Sequence, residues 1–475
     1  MGKTTLMKYC DRHSVAERWP LIARPVKNIR NVIVIPVLAE SDYLFQTLSS
    51  LAGIGGKDAR ESLVICVINN TEGQTGAEWV KRDNAETLSF MRAVVDGPKM
   101  RRTATSSMPK RYHRVWKLIM ESGLTLGYVD AATAGNELPA RSGGVGLARK
   151  IGFDNALSVV AGSSFDDALF FSLDADTLVE QNYVSAVRSH YEARNPAAAL
   201  VSFSHVAVEP DGGDEPIVSY ETFLRYYVLG LFYAGSPYAY HAIGSTMTFP
   251  ATEYLSVGGM NRRKAGEDFY FLNKMRKRDP IETVTRTRVY PSARVSERVP
   301  FGTGRRMKTY DDGERRDRYV YDPAVFAVLK EWLDTVTEEA GGGGPILLSR
   351  ARSIQPHLAD FLEENDFISL WKRLENNSGG NKLLLERHFH GWFDAFRTLK
   401  LVHYLTERTF PKRPLFESVA VLLDRCNSGL FVPGFTGVRV PPADDDGKAI
   451  LDAVRSVEEG IYAPWQVPAA GRQGT

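Results

Sequence analysis

Leu169-Phe170-Phe171-Ser172-Leu173-Asp174-Ala175-Asp176-Thr177 reads as a short apolar strand running straight into two carboxylates. A short apolar run bounded by polar residues is the pattern of a strand buried on both faces. Side chains at i and i+2 of an extended chain point the same way, so Asp174 and Asp176 are expected to face one cation. Ninety residues after Asp176, at Gly266, begins Gly266-Glu267-Asp268, which places a second acidic pair at the head of a helical run from Asp268 to Lys277. Together the two motifs predict a metal-held diphosphate and a separate carboxylate base.

Working outward, Asn31 to Leu38 and Leu63 to Ile68 are short, β-branched and apolar, and read as buried strands; Leu124 to Val129 and Ala199 to Phe203 read likewise. Between them lie helical patterns at Ser41 to Leu51, Leu147 to Val160 and Asn182 to Arg194, with Ser41 as an N-cap candidate. Strands alternating with helices imply an α/β fold with a Rossmann-like, mostly parallel sheet flanked by helices. Ligands bind beyond the carboxyl ends of such strands, and Glu40, Asn69, Asp130, Asp174 and Asp176 all fall there. After residue 311 the pattern turns helical, at Ala324 to Glu339, Pro356 to Asn376, Lys382 to Thr409, Leu415 to Arg425 and Gly447 to Glu459. The run Gly341 to Gly344 reads as a linker.

The 475 residues allow two or three domains, and 43% hydrophobic with 24% charged residues is ordinary globular composition. A formal net charge of +2 gives no footing for nucleic-acid binding, although Arg262 to Arg318 is locally basic and suits a phosphate-bearing ligand. Cys10, Cys66 and Cys426 lie too far apart for a metal site or a disulfide framework. No run reaches the roughly 20 apolar residues that span a bilayer, and the N-terminus has no signal-type apolar segment. The expectation is a cytoplasmic protein, with peripheral contact at the inner membrane face left open. Gly2-Lys3-Thr4 resembles part of a phosphate loop but lacks the upstream glycine and strand that the motif needs, so it reads as a polar arm.

The chemistry follows from residue type. Mg²⁺ and Mn²⁺ take oxygen ligands, commonly one or two carboxylates plus substrate phosphates, and a cation on Asp174 and Asp176 neutralises a departing diphosphate. Asp268 is the candidate general base for the acceptor hydroxyl and Glu267 its acceptor-positioning neighbour, with the roles open to exchange. Gly143-Gly144-Val145-Gly146 enters a basic helix whose start can bind anions, with Arg149 and Lys150 able to reach the donor. The aromatic stretch Tyr220 to Tyr240 reads mainly as packing, with His241 and Ser245 as acceptor-pocket candidates. His241 is also a candidate metal ligand.

In this order, Val34-Ile35-Pro36-Val37-Leu38-Ala39-Glu40, Ala148-Arg149-Lys150-Ile151-Gly152, Asp174-Ala175-Asp176 and Gly258-Gly259-Met260 through Gly266-Glu267-Asp268 resemble the family 2 glycosyltransferases of GT-A fold. The resemblance implies a GT-A domain over 31–310, preceded by an N-terminal arm (1–30) and followed by a linker and helix (311–344) and a helical C-terminal region (345–475). It implies inverting transfer of a hexosyl-type sugar from a nucleotide-diphosphate sugar to a saccharide, lipid-linked or small-molecule acceptor, with Mn²⁺ or Mg²⁺. Glu40 would contact the nucleoside, Asp130 the base or ribose, and Asp174 and Asp176 the ribose, diphosphate and metal. The donor-binding set is Pro36, Glu40, Asn69, Asp130, Arg149, Lys150, Asp174, Arg305 and Arg306. The last two stand near where processive members carry Gln-x-x-Arg-Trp, which this chain lacks. Asn69-Asn70 stands where the family often has Asp-Asp or Asp-Asn.

Three other readings compete. A retaining GT-A transferase uses Asp-x-Asp without a base at Asp268. A catalytically silent nucleotide-sugar-binding scaffold of envelope glycan assembly need not keep Asp174, Asp176, Glu267 and Asp268 together. A nucleotidyltransferase would need an N-terminal glycine-rich triphosphate loop.

Overall fold

Alternation along two central strands divides the sheet domain into two cores. Ile33, Ile35 and Val37 pack on one face with Val64, Cys66 and Ile68, while Val32, Val34, Leu63, Ile65 and Val67 pack on the other. The pleat's period of two puts neighbours on opposite faces, so a strand apolar at every position needs a helical layer on each side. The computed structural model describes residues 3–25, 27–73, 78–96, 110–161, 165–206, 215–294, 319–427 and 447–462. Arg305 and Arg306 lie outside these residues.

The strands are β1 (Ile22–Ala23), β2 (Asn31–Val37), β3 (Ser62–Asn69), β4 (Thr125–Ala131), β5 (Leu169–Ser172), β6 (Thr177–Val179), β7 (Ala198–Phe203), β8 (Met247–Pro250) and β9 (Ile281–Pro291). They form one nine-stranded sheet in the order β1-β4-β3-β2-β5-β8-β7-β9-β6. Strands β4, β3, β2 and β5 are mutually parallel, β8 is antiparallel to both β5 and β7, and β9 is parallel to β7. Six of the nine strands therefore run in one direction, which meets the expectation of a mostly parallel sheet flanked by helices. Pro36 sits in β2 beyond its last pair with β5, Val34 with Ser172, where a missing N–H interrupts no ladder.

The N-terminal segment is built into this domain. Lys3–His13 is helical, Tyr9 and Trp19 are buried in the second core, and Tyr9 donates to Asp154 (2.7 Å) on helix Val145–Val160. Asn155 of the same helix accepts from Leu21 N (2.9 Å) and donates to Trp19 O (2.9 Å).

The helical C-terminal region packs onto helix Glu215–Tyr233, whose Tyr226, Leu229 and Leu231 share one core with Trp332, Trp371 and Phe389. That accounts for most of the aromatic stretch after Tyr220. Gly341–Gly344 is a tight turn rather than a spacer: Ala340–Gly342 is 3₁₀ and Gly344 opens helix Gly344–Ile354. The run expected as one helix from Pro356 breaks into Pro356–Glu364 and Phe367–Ser378 at Asp366, whose φ of +53° is left-handed. The next run divides at Asp394, which caps Ala395–Arg408 by accepting from Arg397 N.

A buried ionic network bolts the last helix, Gly447–Tyr462, to the sheet. Glu221 accepts from His205 N (2.9 Å) and Arg225 Nε (2.9 Å), and pairs with Arg455 (2.8 Å). Arg225 pairs in turn with Glu458, which also meets His241 Nε2 (2.9 Å). Burial alone would raise both carboxyl groups. For Glu221 the His205 hydrogen bond, Arg225 and Arg455 reverse that, and for Glu458 Arg225 and His241 do, so both titrate below the usual range.

Glu458→Ala removes one of the two carboxylates that hold Arg225, leaving Glu221, and is expected to cost about 1–3 kcal/mol, read as a lower urea midpoint. A depressed folded pKa stabilises above the unfolded Glu value of about 4.3 and loses that contribution as pH falls below it. The variant should therefore lose part of the wild-type drop in stability on acidification below pH ~4.

Candidate active site

The carboxyl ends of β2, β3, β4 and β5 converge on one edge, and three kinds of residue meet there. Amides tie the strand ends together. Asn69 Nδ2 donates to Val37 O (3.0 Å) and Val67 O (3.1 Å), and Asn70 Nδ2 to Ala132 O (2.9 Å). Asn84, from helix Glu78–Asp96, donates to Asn69 O (3.0 Å) and Asn70 Oδ1 (2.7 Å) and accepts from Ala39 N (2.9 Å). Ala39 holds φ +52°, a left-handed turn that Asn84 stabilises. Each amide donates to a carbonyl, which an ionised carboxylate cannot do; this is a physical reason for Asn69-Asn70 where the family often has Asp-Asp or Asp-Asn. Asp130 closes its own turn, accepting from Ala132 N (3.1 Å), Thr133 N (2.9 Å) and Thr133 Oγ1 (2.7 Å).

Carboxylates and guanidinium groups form the centre. Strand β5 ends at Ser172, so Asp174 and Asp176 leave a β-turn, closed by Thr177 N to Asp174 O (3.2 Å), and not an extended strand. The i, i+2 argument for a shared direction does not apply in a turn, and the two carboxylates reach different partners. Asp174 Oδ1 accepts from Arg149 Nη2 (2.5 Å). Asp176 Oδ2 accepts from Arg294 Nε (2.9 Å) and Nη2 (2.8 Å). Arg294 also meets Glu40 Oε2 (2.5 Å), and its guanidinium lies 4.0 Å from the centre of the Tyr43 ring.

Arg149 is 2% exposed and joins two distant pieces of sequence: Nη1 pairs with Glu267, also 2% exposed, while Nη2 holds Asp174. Glu267 opens helix Glu267–Arg276 and Asp268 follows it, half-buried, with Oδ1 accepting from Phe269 N (2.7 Å). Burial raises the Asp268 pKa, Arg149 and the Phe269 N–H oppose this, and Asp174 adds to it. Asp174 is raised too, by burial and by Asp176 against Arg149.

Glycines allow these approaches. A Cβ on Gly244 would lie 2.3 Å from Arg149 Nη2, and one on Gly146 would lie 2.4 Å from Arg263 O and 2.9 Å from Glu267 Cβ. The glycine-rich turn before helix Val145–Val160 thus receives the backbone of 263–264, where a phosphate was the expectation.

Of the residues read from sequence, Glu40, Arg149, Asp174, Asp176, Glu267 and Asp268 are brought together. Lys150 is not: it is buried behind the helix with Tyr9 Oη (2.8 Å) and Asp154 (3.0 Å). His241 is engaged by Glu458. Among the described residues no group of three or more His, Cys, Asp or Glu is placed to hold a metal. Arg294 carries no motif signal; only its place in the basic stretch after Arg262 hinted at it.

No protein-family model and no curated protein matches the sequence. Solved structures do. Residues 1–349 of TarS from S. aureus, in complex with UDP-GlcNAc, align with 12% identity over 74% of this chain and 91% of that one, TM-score 0.35. The mannosyltransferase PcManGT from Pyrobaculum calidifontis, in complex with GDP-Man and Mn²⁺, aligns with 14% identity over 82% of this chain and 94% of that one, TM-score 0.32.

Gly244→Ala pushes a methyl group into a guanidinium that Glu267 and Asp174 hold in place. It is expected to cost about 1–3 kcal/mol as overpacking, measured by chemical denaturation. Gly235→Ala, at a position with open space but a φ of +68°, serves as a control for backbone strain without that clash.

Proposed function

We propose that this protein is a GT-A glycosyltransferase of family 2 type, moving one hexosyl-type sugar from a nucleoside-diphosphate sugar to an acceptor hydroxyl with inversion. The observation that carries this reading is the meeting of Asp174 and Asp268 around Arg149 at the carboxyl end of the central strands. One carboxylate belongs with a diphosphate and the other with a proton.

Asp268 is the general base. It is half-buried and forms no ion pair among the described residues, whereas Glu267 is committed to Arg149. A raised pKa makes a carboxylate a better proton acceptor while it stays ionised at neutral pH. Asp268 takes the acceptor's proton as that oxygen bonds to the anomeric carbon and the bond to the diphosphate breaks. Glu267 acts through Arg149, fixing the guanidinium against Asp174.

The donor set fits a hard divalent cation. Arg149 uses Asp174 Oδ1 and Arg294 uses Asp176 Oδ2, so each carboxylate has its second oxygen to offer, and phosphate and water oxygens complete such a shell. Mn²⁺ or Mg²⁺ held by Asp174 and Asp176 would neutralise charge on the leaving diphosphate. Glu40, at the head of helix Ser41–Ala52, would contact the nucleoside. No helix among the described residues is long and apolar enough to cross a membrane.

Calorimetric titration of UDP, GDP, CDP and dTDP, each with and without Mn²⁺, tests the donor site. Metal-dependent binding of one is expected, and binding of none by folded protein refutes the reading. Asp268→Asn should keep that affinity and lose transfer by a factor of about 10²–10⁴; near-wild-type turnover removes the base. The base must be ionised, so activity should fall as pH drops through a limb set above the ordinary Asp value of about 3.9. An acid limb at the ordinary value would contradict the raised pKa.

A further inference from the structure

Arg294 stands between Glu40, at the head of helix Ser41–Ala52, and Asp176, on the turn between β5 and β6. Its backbone is stitched to the Asp174-Ala175-Asp176 turn: Ser292 N donates to Asp176 O (3.2 Å) and Arg294 N to Ser292 Oγ (3.3 Å). Its side chain is fixed on three elements at once, through Asp176 on the β5–β6 turn, Glu40 at the head of helix Ser41–Ala52, and Tyr43 one residue inside that head. A single nitrogen, Nη2, serves both carboxylates, at 2.8 Å and 2.5 Å. Without a cation between them, two carboxylates on one atom would repel.

An arginine guanidinium keeps its proton throughout the physiological pH range, so the charge is permanent. A permanent cation bound to Asp176 Oδ2 opposes a divalent cation on the same carboxylate. It is also the group best matched to a phosphate, since guanidinium donors fit phosphate oxygens in pairs.

Resting on the donor-site reading above, we propose that Arg294 is the resident cation of the donor pocket. It holds Glu40 and Asp176 together in the donor-free protein and passes from Asp176 to the diphosphate when donor and divalent cation enter. Its removal then has opposite effects on the two ligands. The metal alone binds better, because its competitor has gone, and the nucleotide binds worse, because a phosphate partner has gone.

The test titrates Mn²⁺ alone, and then UDP, GDP, CDP and dTDP with Mn²⁺, into wild type, Arg294→Met and Arg294→Lys, with thermal melting to confirm folding. Arg294→Met should bind Mn²⁺ alone more tightly, on the order of fivefold. It should bind the preferred nucleoside diphosphate about tenfold or more weakly. Arg294→Lys should recover part of the nucleotide affinity. In turnover the Met variant should raise the donor KM more than it lowers kcat, the mark of lost ground-state binding. Unchanged or weaker Mn²⁺ affinity in folded Arg294→Met overturns the proposal, as does unchanged nucleotide affinity. If wild type binds Mn²⁺ but none of the four nucleotides, the donor-site reading itself fails. The Mn²⁺ comparison then still judges whether Arg294 guards Asp176.

Discussion

One buried guanidinium organises the site. Arg149 reaches out of the helix after the glycine-rich turn and takes Glu267 on one side and Asp174 on the other. A guanidinium suits this place because its planar donors can serve two carboxylates at once. Isolated in the interior, any of these charges would be costly; together they satisfy one another. The ion pair therefore constrains the chain around it. Gly244 and Gly146 stay without side chains so that Arg149 fits and the 263–264 backbone closes over the helix start.

Charge explains the site's chemistry beyond that contact. Among the described residues, Glu40, Asp174, Asp176 and Glu267 pair with Arg149 or Arg294, and Asp268 lies beside them. Burial raises the pKa of Asp174 and of Asp268, with Asp176 adding to it at Asp174 and Asp174 at Asp268, against the pull of Arg149. Carboxylates held above their ordinary pKa cluster at functional sites.

The helical C-terminal region braces the same site from two sides. Asp394 accepts from Asn273 (3.1 Å) and Lys277 (2.6 Å), near the far end of the helix that begins at Glu267. Glu458 holds His241, three residues before the Gly244 that admits Arg149. Segments that carry Asp268 and border Arg149 are thus fixed by residues 120 or more positions downstream of Asp268. The side chains of this bracing are polar, so the attachment is specific in geometry as well as apolar in area.

The sequence by itself determined five of the nine strands, β2, β3, β4, β5 and β7, because an unbroken apolar run such as Val32 to Val37 has no stable place except between two helical layers. It also placed Asp174, Asp176, Glu267 and Asp268 at the ends of elements, the first two after β5 and the others at the head of a helix. Helix ends set by a single residue, such as the break at left-handed Asp366 or the cap at Asp394, were beyond the reach of periodicity. So were partners. Nothing in the order of residues distinguishes Arg149, which turns into the site, from Lys150, which the next hundred degrees of helix turn toward Tyr9 and Asp154. Nor does it mark Arg294, which reaches Glu40 only because β9 returns beside the Asp174–Asp176 turn. Those assignments depend on which faces meet once distant strands are paired, and tertiary structure alone decides them.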